Sequence, residues 1–347
     1  MKYLNFQKKI IYHYSIIYKI VKNEKHFPVH ATISLGNFCN HRCIWCSVYE
    51  YHKLKVTYIN HLHLLDFLKK AKKKGLKAIT YVGNGEPTTY PYFKELINEV
   101  YNLGIEQAMF TNGYFLDKYQ DEILKYFTWV RISLDAGSEY VHEITHGVKQ
   151  QFNKIINNIK TLVVGRQNIL PTIGIQYAVH QINIQDLYNS AKIASDLGVD
   201  YFSIKPVFTR GAVGKKVEKN NLKFEELKPI VNRIKEDVGN NLMIFFRPHQ
   251  FSSHSQEKTI FNYSRCVAGF FNLNIYEDGM ITICGPNKVC VGDIYMDLEI
   301  IENNIFYKSK NLKLDLCPAG CRYHELNFLI DCIVNDKFVR ENHVNFI

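Results

Sequence analysis

The sequence lacks both an apolar stretch long enough to cross a membrane and a secretory signal. Its hydrophobic runs fall short of the ~18 residues that a membrane-spanning helix needs, and its first 30 residues have no apolar core followed by a small-residue cleavage site. Internal repeats and low-complexity segments are also absent. These absences argue against stable membrane insertion and secretion, and they predict a cytoplasmic protein in a reducing compartment.

Acidic residues are few relative to basic ones. The 347 residues include 43 Lys and Arg against 33 Asp and Glu, a formal net charge of +10. Abundant Lys, Asn, Ile and Tyr indicate a general compositional bias, and the alternative is an anionic partner attracted to a positive surface. The basic run 69–74 closes a predicted helix before Gly75, where cations complement the helix dipole. We therefore do not expect a nucleic-acid partner.

Short β-rich runs alternate with longer stretches of helical periodicity. The predicted strands are 30–35, 78–82, 107–111, 129–134, 172–179 and 201–205, and the predicted helices are 61–74, 92–103, 117–127, 152–164, 184–197 and 224–238. Such alternation indicates βαβ units around a parallel sheet, an α/β fold. Six units are too few for a closed eight-stranded barrel, so we expect a partial (β/α)6 TIM-like barrel with its active site at the C-terminal ends of the strands.

The pattern divides the chain into three predicted parts. Residues 1–29 contain an apolar and aromatic stretch, 10–21, which predicts a helical segment that packs on the main domain or lies on a membrane surface. Residues 30–240 form the predicted barrel. In residues 241–347 the alternation stops, Asp278-Gly279 predicts a hairpin turn, and six of the nine cysteines occur there. We expect a small α+β domain in this last part.

Three cysteines, Cys39, Cys43 and Cys46, lie within eight residues directly after the first predicted strand. Structural zinc normally takes four ligands; no fourth cysteine is near, and His41 lies between the others where it is poorly placed to bind. A four-iron cluster on three cysteines would leave one iron open. The pattern Cys-x3-Cys-x2-Cys, with the aromatic Trp45 before the last cysteine, resembles the signature of the radical S-adenosylmethionine (SAM) superfamily.

This resemblance implies a SAM-binding [4Fe-4S] cluster on the three cysteines, with the amino and carboxylate groups of SAM on the open iron. Members of the family cleave SAM reductively to a 5′-deoxyadenosyl radical, which abstracts hydrogen from an unactivated C–H bond. The protein positions the cofactor and shields the radical. A zinc site or three unrelated thiols is the alternative.

Further positions match the family at the ends of later strands. Segment 81–87 is similar to the glycine-rich Gly-Gly-Glu motif that binds the methionine ammonium, with Asn84 in place of the family's first glycine. Glycines permit close backbone approach, and Glu86 offers an anionic acceptor. Ordinary turn chemistry is the alternative for each position. The cofactor contacts that the resemblance implies are Trp45, Gly83, Gly85, Glu86, Asn112, Ser133, Asp135 and Gln176.

The spacing Cys266-x12-Gly279-x4-Cys284 resembles the opening of the auxiliary-cluster domains called SPASM and twitch, which follow many barrels of this family. Because no Cys-x2-Cys-x5-Cys run follows, we expect the smaller, twitch-like version with one auxiliary [4Fe-4S] cluster. A four-cysteine zinc site is the alternative. Cys290 and Cys332 are left as core thiols or substitute ligands. The implied ligands are Cys266, Cys284, Cys317 and Cys321.

Together these resemblances imply an oxidoreductase that takes hydrogen from a small molecule, such as a sugar, aminoglycoside or nucleotide derivative, for a two-electron oxidation. An electron donor such as flavodoxin or ferredoxin is an implied partner, and no catalytic acid or base is identified. About 30 residues precede the first strand, too few for an independent leader-binding domain. A peptide-modifying maturase is therefore the alternative and not the first choice. A redox-neutral isomerase or dehydratase is a second alternative. A zinc-stapled nucleic-acid-binding protein, from a different class, would leave segment 85–87 unexplained.

Overall fold

A computed structural model describes residues 9–207, 217, 222–246, 251, 261–312, 314, 317 and 321–335. Residues 1–8 of the predicted N-terminal segment and 336–347 of the predicted C-terminal domain lie outside this description. None of the described helices combines the length and the apolar character that a membrane span requires.

One sheet of ten strands organises the part of the chain that is described, in the order β10-β9-β8-β1-β2-β3-β4-β5-β6-β7. Strands β1 to β7 run parallel, β8 is parallel to β1, and β9 and β10 are antiparallel. The strands are β1 (His30–Ile33), β2 (Ala78–Tyr81), β3 (Glu106–Thr111), β4 (Phe127–Ser133), β5 (Thr172–Val179), β6 (Tyr201–Pro206), β7 (Met243–Phe246), β8 (Asn272–Ile275), β9 (Met280–Thr282) and β10 (Cys290–Asp293).

Amphipathic helices connect the parallel strands and bury their apolar faces against the sheet. Local signals set their ends: the Asn60 side chain caps the first helix after β1, and Gly75 closes that helix in the left-handed region at φ 115°. The helices are α1 (Tyr14–Val21), α2 (His61–Lys74), α3 (Phe93–Asn102), α4 (Gln120–Tyr126), α5 (Glu139–His146), α6 (Phe152–Gly165), α7 (Leu187–Asp196), α8 (Phe224–Val238), α9 (Leu298–Lys310) and α10 (His324–Asn335).

The predicted fold class is confirmed. All six predicted strands and all six predicted helices are present, and the parallel order of β1 to β6 is that of an open, TIM-like partial barrel. The predicted hairpin is also present, because β8 and β9 pair antiparallel around Gly279 at φ 88°. Helix α5 was not predicted from the sequence.

The sheet continues past both ends of the predicted barrel. Strand β7 pairs in parallel with β6, and β8 pairs in parallel with β1 in a register that places Ile33 beside Ile275. The C-terminal region is therefore built directly on the first barrel strand. The division of the chain at residues 29/30 and 240/241 stays a prediction.

The N-terminal helix α1 packs on the C-terminal region. Its buried residues Ile16 and Ile20, with Ile10 before them, form an apolar cluster with side chains around β8, α9 and α10. The opposite face leaves Tyr14 and Tyr18 exposed. The members contributed by the C-terminal region are Val267, Phe270, Phe271, Phe306, Leu326 and Ile330.

A half-buried histidine joins β1 to both of its neighbours. His30 Nδ1 lies 2.5 Å from Asn272 Oδ1 on β8, and His30 Nε2 lies 2.8 Å from Thr80 Oγ1 on β2. The pattern suits a neutral ring that donates from Nδ1 and accepts the threonine hydroxyl at Nε2. Burial lowers the pKa of His30 from 6.5 to about 4.

The low pKa of His30 makes the contacts of β1 with β2 and β8 sensitive to acid. Between pH 6.5 and about 4 the unfolded chain binds a proton at residue 30 that the folded chain does not, so the free energy of unfolding falls as the pH falls. The slope contributed by one such group is about 1.4 kcal/mol per pH unit. We expect His30→Gln to reduce the slope in denaturant titrations across this range, with the exposed His63→Gln as the matched control. An unchanged slope in His30→Gln would contradict the assignment.

Candidate functional site

The loop after β1 carries the three clustered cysteines, and helix α5 holds it in place. The Arg42 amide donates to the His146 carbonyl at 2.9 Å, and the Ile44 amide donates to the Thr145 carbonyl at 3.0 Å. Gly147 follows α5 at φ 64°, and a side chain there would overlap the Arg42 carbonyl. The last turn of α5, which lies about a hundred residues later in the sequence, therefore fixes the position of the cysteine loop.

The three thiols are half-buried and lie close enough to influence one another's charge. Burial raises the pKa of Cys39 to about 12, with further contributions from the charges of Glu86 and Cys46. Burial raises the pKa of Cys43 well above its ordinary value, and Cys39, Asp135 and Cys46 add to the effect. A bound metal centre reverses this trend, because its positive charge stabilises thiolates. Three cysteine sulfurs on one loop are the type of donor that an iron–sulfur cluster takes, so the residues present fit such a cluster.

The glycines after β2 allow its loop to approach the loop after β1. A side chain at Gly83 would overlap Ser34, and one at Gly85 would overlap the carbonyl oxygen of Phe38. The Glu86 amide donates to that same Phe38 carbonyl at 2.9 Å. The glycines expected to approach a cofactor thus also approach the segment that leads into Cys39.

Glu86 is buried, and its carboxylate accepts four hydrogen bonds. Oε1 accepts from Thr88 Oγ1 at 2.6 Å, from Thr111 Oγ1 at 2.7 Å and from the Thr88 amide at 3.2 Å, while Oε2 accepts from the Asn112 amide at 2.8 Å. Burial nevertheless raises the pKa of Glu86. Each donor is neutral, so an ammonium group near Oε2 would supply the missing positive charge.

Asn112 links this carboxylate to the cysteine loop. Its amide nitrogen Nδ2 donates to Asn40 Oδ1 at 2.8 Å, and its side chain also hydrogen-bonds to Cys39, which lowers the pKa of that thiol in part. Because its backbone amide binds Glu86, Asn112 brings the ends of β2 and β3 to the first cysteine. The structure therefore places Cys39, Glu86 and Asn112 together, while their roles toward a cluster and SAM stay predictions.

Asp135 holds Trp45. Its Oδ2 accepts from the Trp45 indole at 3.2 Å and its Oδ1 from the Ala178 amide at 2.6 Å, and burial raises its pKa to about 7. In this arrangement each carboxylate oxygen accepts a hydrogen bond from the protein. Asp135 therefore fixes the Trp45 indole, and its contact with a cofactor stays a prediction.

Ser133, the last residue of β4, lies in register with Gln176, which lies within β5. Gln176 faces a cavity of about 240 Å³ next to the cysteine loop. The cavity opens where an active site of a partial barrel is expected. Its lining residues are Trp45, Ser47, Gln176, Ala178, Lys205, Pro206 and Val207.

A buried group of three histidines behind Cys43 was not predicted. His41 Nδ1 and His146 Nδ1 are 3.0 Å apart, and the His142 ring stacks on His146 with centroids 4.3 Å apart. His41 Nε2 lies 2.9 Å from Gln151 Oε1, so that nitrogen donates, His41 Nδ1 accepts, and His146 Nδ1 carries a proton.

The protonated Nδ1 of His146 also lies 3.6 Å from Cys43 Sγ. Hydrogen bonds to ligand sulfurs tune the potential of iron–sulfur clusters. We expect from the sequence that His41 is poorly placed as a metal ligand, but the structure brings ligand atoms of His41, Cys43 and His146 within 4.8 Å of one another, close enough to share a metal ion. The spacing of His142 and His146 by one helical turn was the available sequence signal.

Four cysteines of the C-terminal region line a second cavity, of about 290 Å³. Burial raises the pKa of Cys266, Cys284 and Cys321, and their charges act on one another. Cys317 lines the same cavity. The four predicted auxiliary ligands are therefore brought together around a space that fits a metal centre.

Helix α10 organises this second site through residues that were not predicted. Asn327 Oδ1 accepts from the Val267 amide at 2.9 Å, and its Nδ2 donates to Cys266 Sγ at 3.4 Å. One turn later, Asp331 Oδ1 accepts from the Ser264 hydroxyl at 2.7 Å. Of the two spare cysteines, Cys332 is buried within α10 and Cys290 is exposed on β10, and neither lines the cavity.

The chain matches known sequences over both regions. Residues 33–204 match the model of the radical SAM superfamily. The chain is 24% identical over 351 residues to the antilisterial bacteriocin subtilosin biosynthesis protein AlbA of Bacillus subtilis, covering 92% of this chain and 71% of AlbA. It is 29% identical over 223 residues to the tungsten-containing aldehyde ferredoxin oxidoreductase cofactor-modifying protein of Pyrococcus furiosus, covering 61% and 60%.

Solved structures share the fold across most of the chain. SuiB of Streptococcus suis, bound to S-adenosylmethionine, superposes with a TM-score of 0.67 at 18% identity, over 93% of this chain and 80% of SuiB. The enzyme anSMEcpe with bound AdoMet superposes with a TM-score of 0.60 at 16% identity, over 87% and 88%. The chain belongs to the radical SAM superfamily, and the fold of its C-terminal region resembles that of SPASM-domain enzymes.

Proposed function

We propose that this chain is a radical SAM enzyme that modifies a peptide. The observation that carries the proposal is the extent of the match to proteins that handle peptides. AlbA takes its name from the biosynthesis of a bacteriocin, and SuiB was solved with its precursor peptide SuiA in a structure that covers 93% of this chain. The enzyme anSMEcpe was solved with a peptide as well, and it covers 87%.

This proposal replaces the small-molecule substrate that the sequence alone favours. That expectation came from the resemblance to twitch enzymes, and the short segment before β1 counted against a peptide maturase. The similarity to AlbA and SuiB instead extends through the barrel and the C-terminal region. The cavity beside Trp45 suits one side chain of a longer substrate as well as it suits a small molecule, because about 240 Å³ is a modest volume.

The first site supplies the ligands for SAM chemistry in this proposal. Cys39, Cys43 and Cys46 would hold the cluster, and Glu86 and Asn112 would bind the amino end of SAM. A cluster held there would supply the electron for reductive cleavage of SAM to the 5′-deoxyadenosyl radical. The protein's own contribution is orientation: Asp135 fixes the Trp45 indole, and α5 fixes the cysteine loop.

The second site supports an oxidative outcome. Loss of a hydrogen atom leaves a carbon radical on the substrate, which becomes a closed-shell product when one electron and one proton depart. Cys266, Cys284, Cys317 and Cys321 would bind a cluster through protein ligands alone, a centre suited to accept that electron. Structural support of the C-terminal region is the alternative role, and it would go with a redox-neutral reaction.

The metal content tests both sites. Anaerobic reconstitution should load about eight irons per chain, because each [4Fe-4S] cluster holds four. Replacement of Cys39, Cys43 and Cys46 by Ala should remove about half of the iron. Replacement of Cys290 and Cys332 by Ala is the matched control and should leave the iron content unchanged. Stoichiometric zinc without acid-labile sulfide would refute both assignments.

The role of Glu86 is tested by Glu86→Gln, which preserves shape and removes the charge. Loss of a charge-assisted hydrogen bond to the SAM ammonium should weaken SAM binding by about 1.5–3 kcal/mol. Calorimetry on the reconstituted enzyme measures the affinity, with iron content as the folding control. The exposed Glu106→Gln, on β3, is the matched substitution. An unchanged affinity in Glu86→Gln would remove Glu86 from the site.

The peptide proposal is tested with synthetic copies of the peptides that neighbouring genes encode. Each peptide is incubated with the enzyme, SAM and a strong reductant. A two-electron oxidation should lower the mass of one peptide by about 2 Da, with 5′-deoxyadenosine formed in parallel. A Cys284→Ala, Cys317→Ala variant should still form 5′-deoxyadenosine and fail to form the oxidised peptide. Turnover of small molecules with no change to any peptide would refute the proposal. Normal product from the double variant would assign the second site a structural role.

A further inference from the structure

Asn84 stands where the family's motif has its first glycine, and the structure shows what the larger residue does. It is 4% exposed, and its amide nitrogen Nδ2 donates to Glu277 Oε1 at 2.9 Å and lies 3.2 Å from Oε2. Its backbone amide donates to Ser34 Oγ at 3.0 Å, and its carbonyl accepts from His52 Nε2 at 2.7 Å. Asn84 is therefore anchored by both its backbone and its side chain.

Glu277 is the acceptor at the centre of this network. It is 8% exposed, and its Oε2 also accepts from the Ser34 hydroxyl at 2.8 Å. Its partners Ser34 and Asn84 are neutral, and no ion pair to Glu277 occurs among the residues that the structure describes. A buried carboxylate depends on such donors, because each one lost leaves charge without solvation.

The sheet explains why these residues meet. Ile33 on β1 lies in register with Tyr81 on β2 and with Ile275 on β8, so the three parallel strands end at the same edge. Ser34 follows the first strand directly, and Glu277 follows β8 at the start of its hairpin. That hairpin lies between Cys266 and Cys284 in the chain, so Glu277 belongs to the segment that carries two of the proposed auxiliary ligands.

We propose that Glu277 is a positioning residue for the SAM-binding loop, acting through Asn84. The inference rests on the proposed function, in which segment 83–86 binds SAM. Asn84 immediately precedes Gly85 and Glu86, so its anchoring to the β8–β9 hairpin sets where that backbone lies. Through this contact the C-terminal region and the SAM site share one hydrogen-bond network. The hairpin must be in place for the loop to have its binding conformation.

A double-mutant cycle tests this role. Glu277→Gln keeps the shape but places an amide group opposite two donors, so at least one hydrogen bond is lost. Asn84→Gly restores the family's glycine and removes the partner. Each single variant should weaken SAM binding about tenfold, and Glu277→Gln in the Asn84→Gly background should add less than about twofold. The exposed Glu106→Gln is the matched control and should leave affinity unchanged.

Two further measurements, the electron paramagnetic resonance spectrum and the melting temperature, separate a positioning role from structural support. The electron paramagnetic resonance spectrum of the reduced first cluster changes when SAM binds, and this SAM-dependent change should be diminished in Glu277→Gln and Asn84→Gly at equal iron content. Ser34→Ala, a smaller change in the same network, serves if Glu277→Gln does not fold, and it should show the same spectral effect. A lower melting temperature with unchanged SAM affinity and an unchanged spectral response would overturn the proposal.

The outcome is distinguishable from failure of the proposed function itself. If Glu86→Gln weakens SAM binding while Glu277→Gln and Asn84→Gly do not, the SAM site stands and the positioning role fails. If none of these three variants affects SAM affinity, segment 83–86 is not the SAM-binding loop and both proposals fail. Independent, additive losses from Glu277→Gln and Asn84→Gly would also overturn the positioning role, because the two residues would then act separately.

Discussion

The pairing of β1 on both of its edges is the constraint on which the rest of the structure depends. Strand β1 lies between β2 and β8, and the chain leaves it directly for the three cysteines of the first site. His30 bonds to both neighbours at one end of the strand, and Ser34 bonds to Asn84 and Glu277 at the other. One strand therefore sets the position of the cysteine loop, the glycine loop and the C-terminal region.

The barrel was predictable from the sequence because short β-rich strands alternate regularly with amphipathic helices. Helix α5 was missed for a physical reason: its buried residues are His142, Thr145 and His146, while Tyr140 points outward and is exposed. Its inward face is polar, so the apolar periodicity that reveals a helix is inverted. The addition of β8 to β1 was also beyond prediction, because no local pattern encodes which distant strand a sheet edge accepts.

The two cysteine groups were predictable from spacing, but the residues that hold them were not. The contact between Asn84 and Glu277 joins positions 193 residues apart, that between Cys43 and His146 joins positions 103 apart, and that between Cys266 and Asn327 joins positions 61 apart. Asn84 looked only like a departure from a motif. The structure explains this departure, because the fold places the Glu277 carboxylate opposite the Asn84 side chain.

The pairing of β1 with both β2 and β8 has a consequence for folding during synthesis on the ribosome. Strand β1 and its cysteines emerge early, whereas Asn272, at the start of β8, follows His30 by 242 residues. Throughout that interval one edge of β1 has no strand beside it, and unpaired edges invite association with other chains. The late closure also leaves the cysteine loop without its C-terminal neighbour while most of the barrel is made. During that part of synthesis, the loop that carries Cys39, Cys43 and Cys46 thus follows a strand that has only one of its two final neighbours.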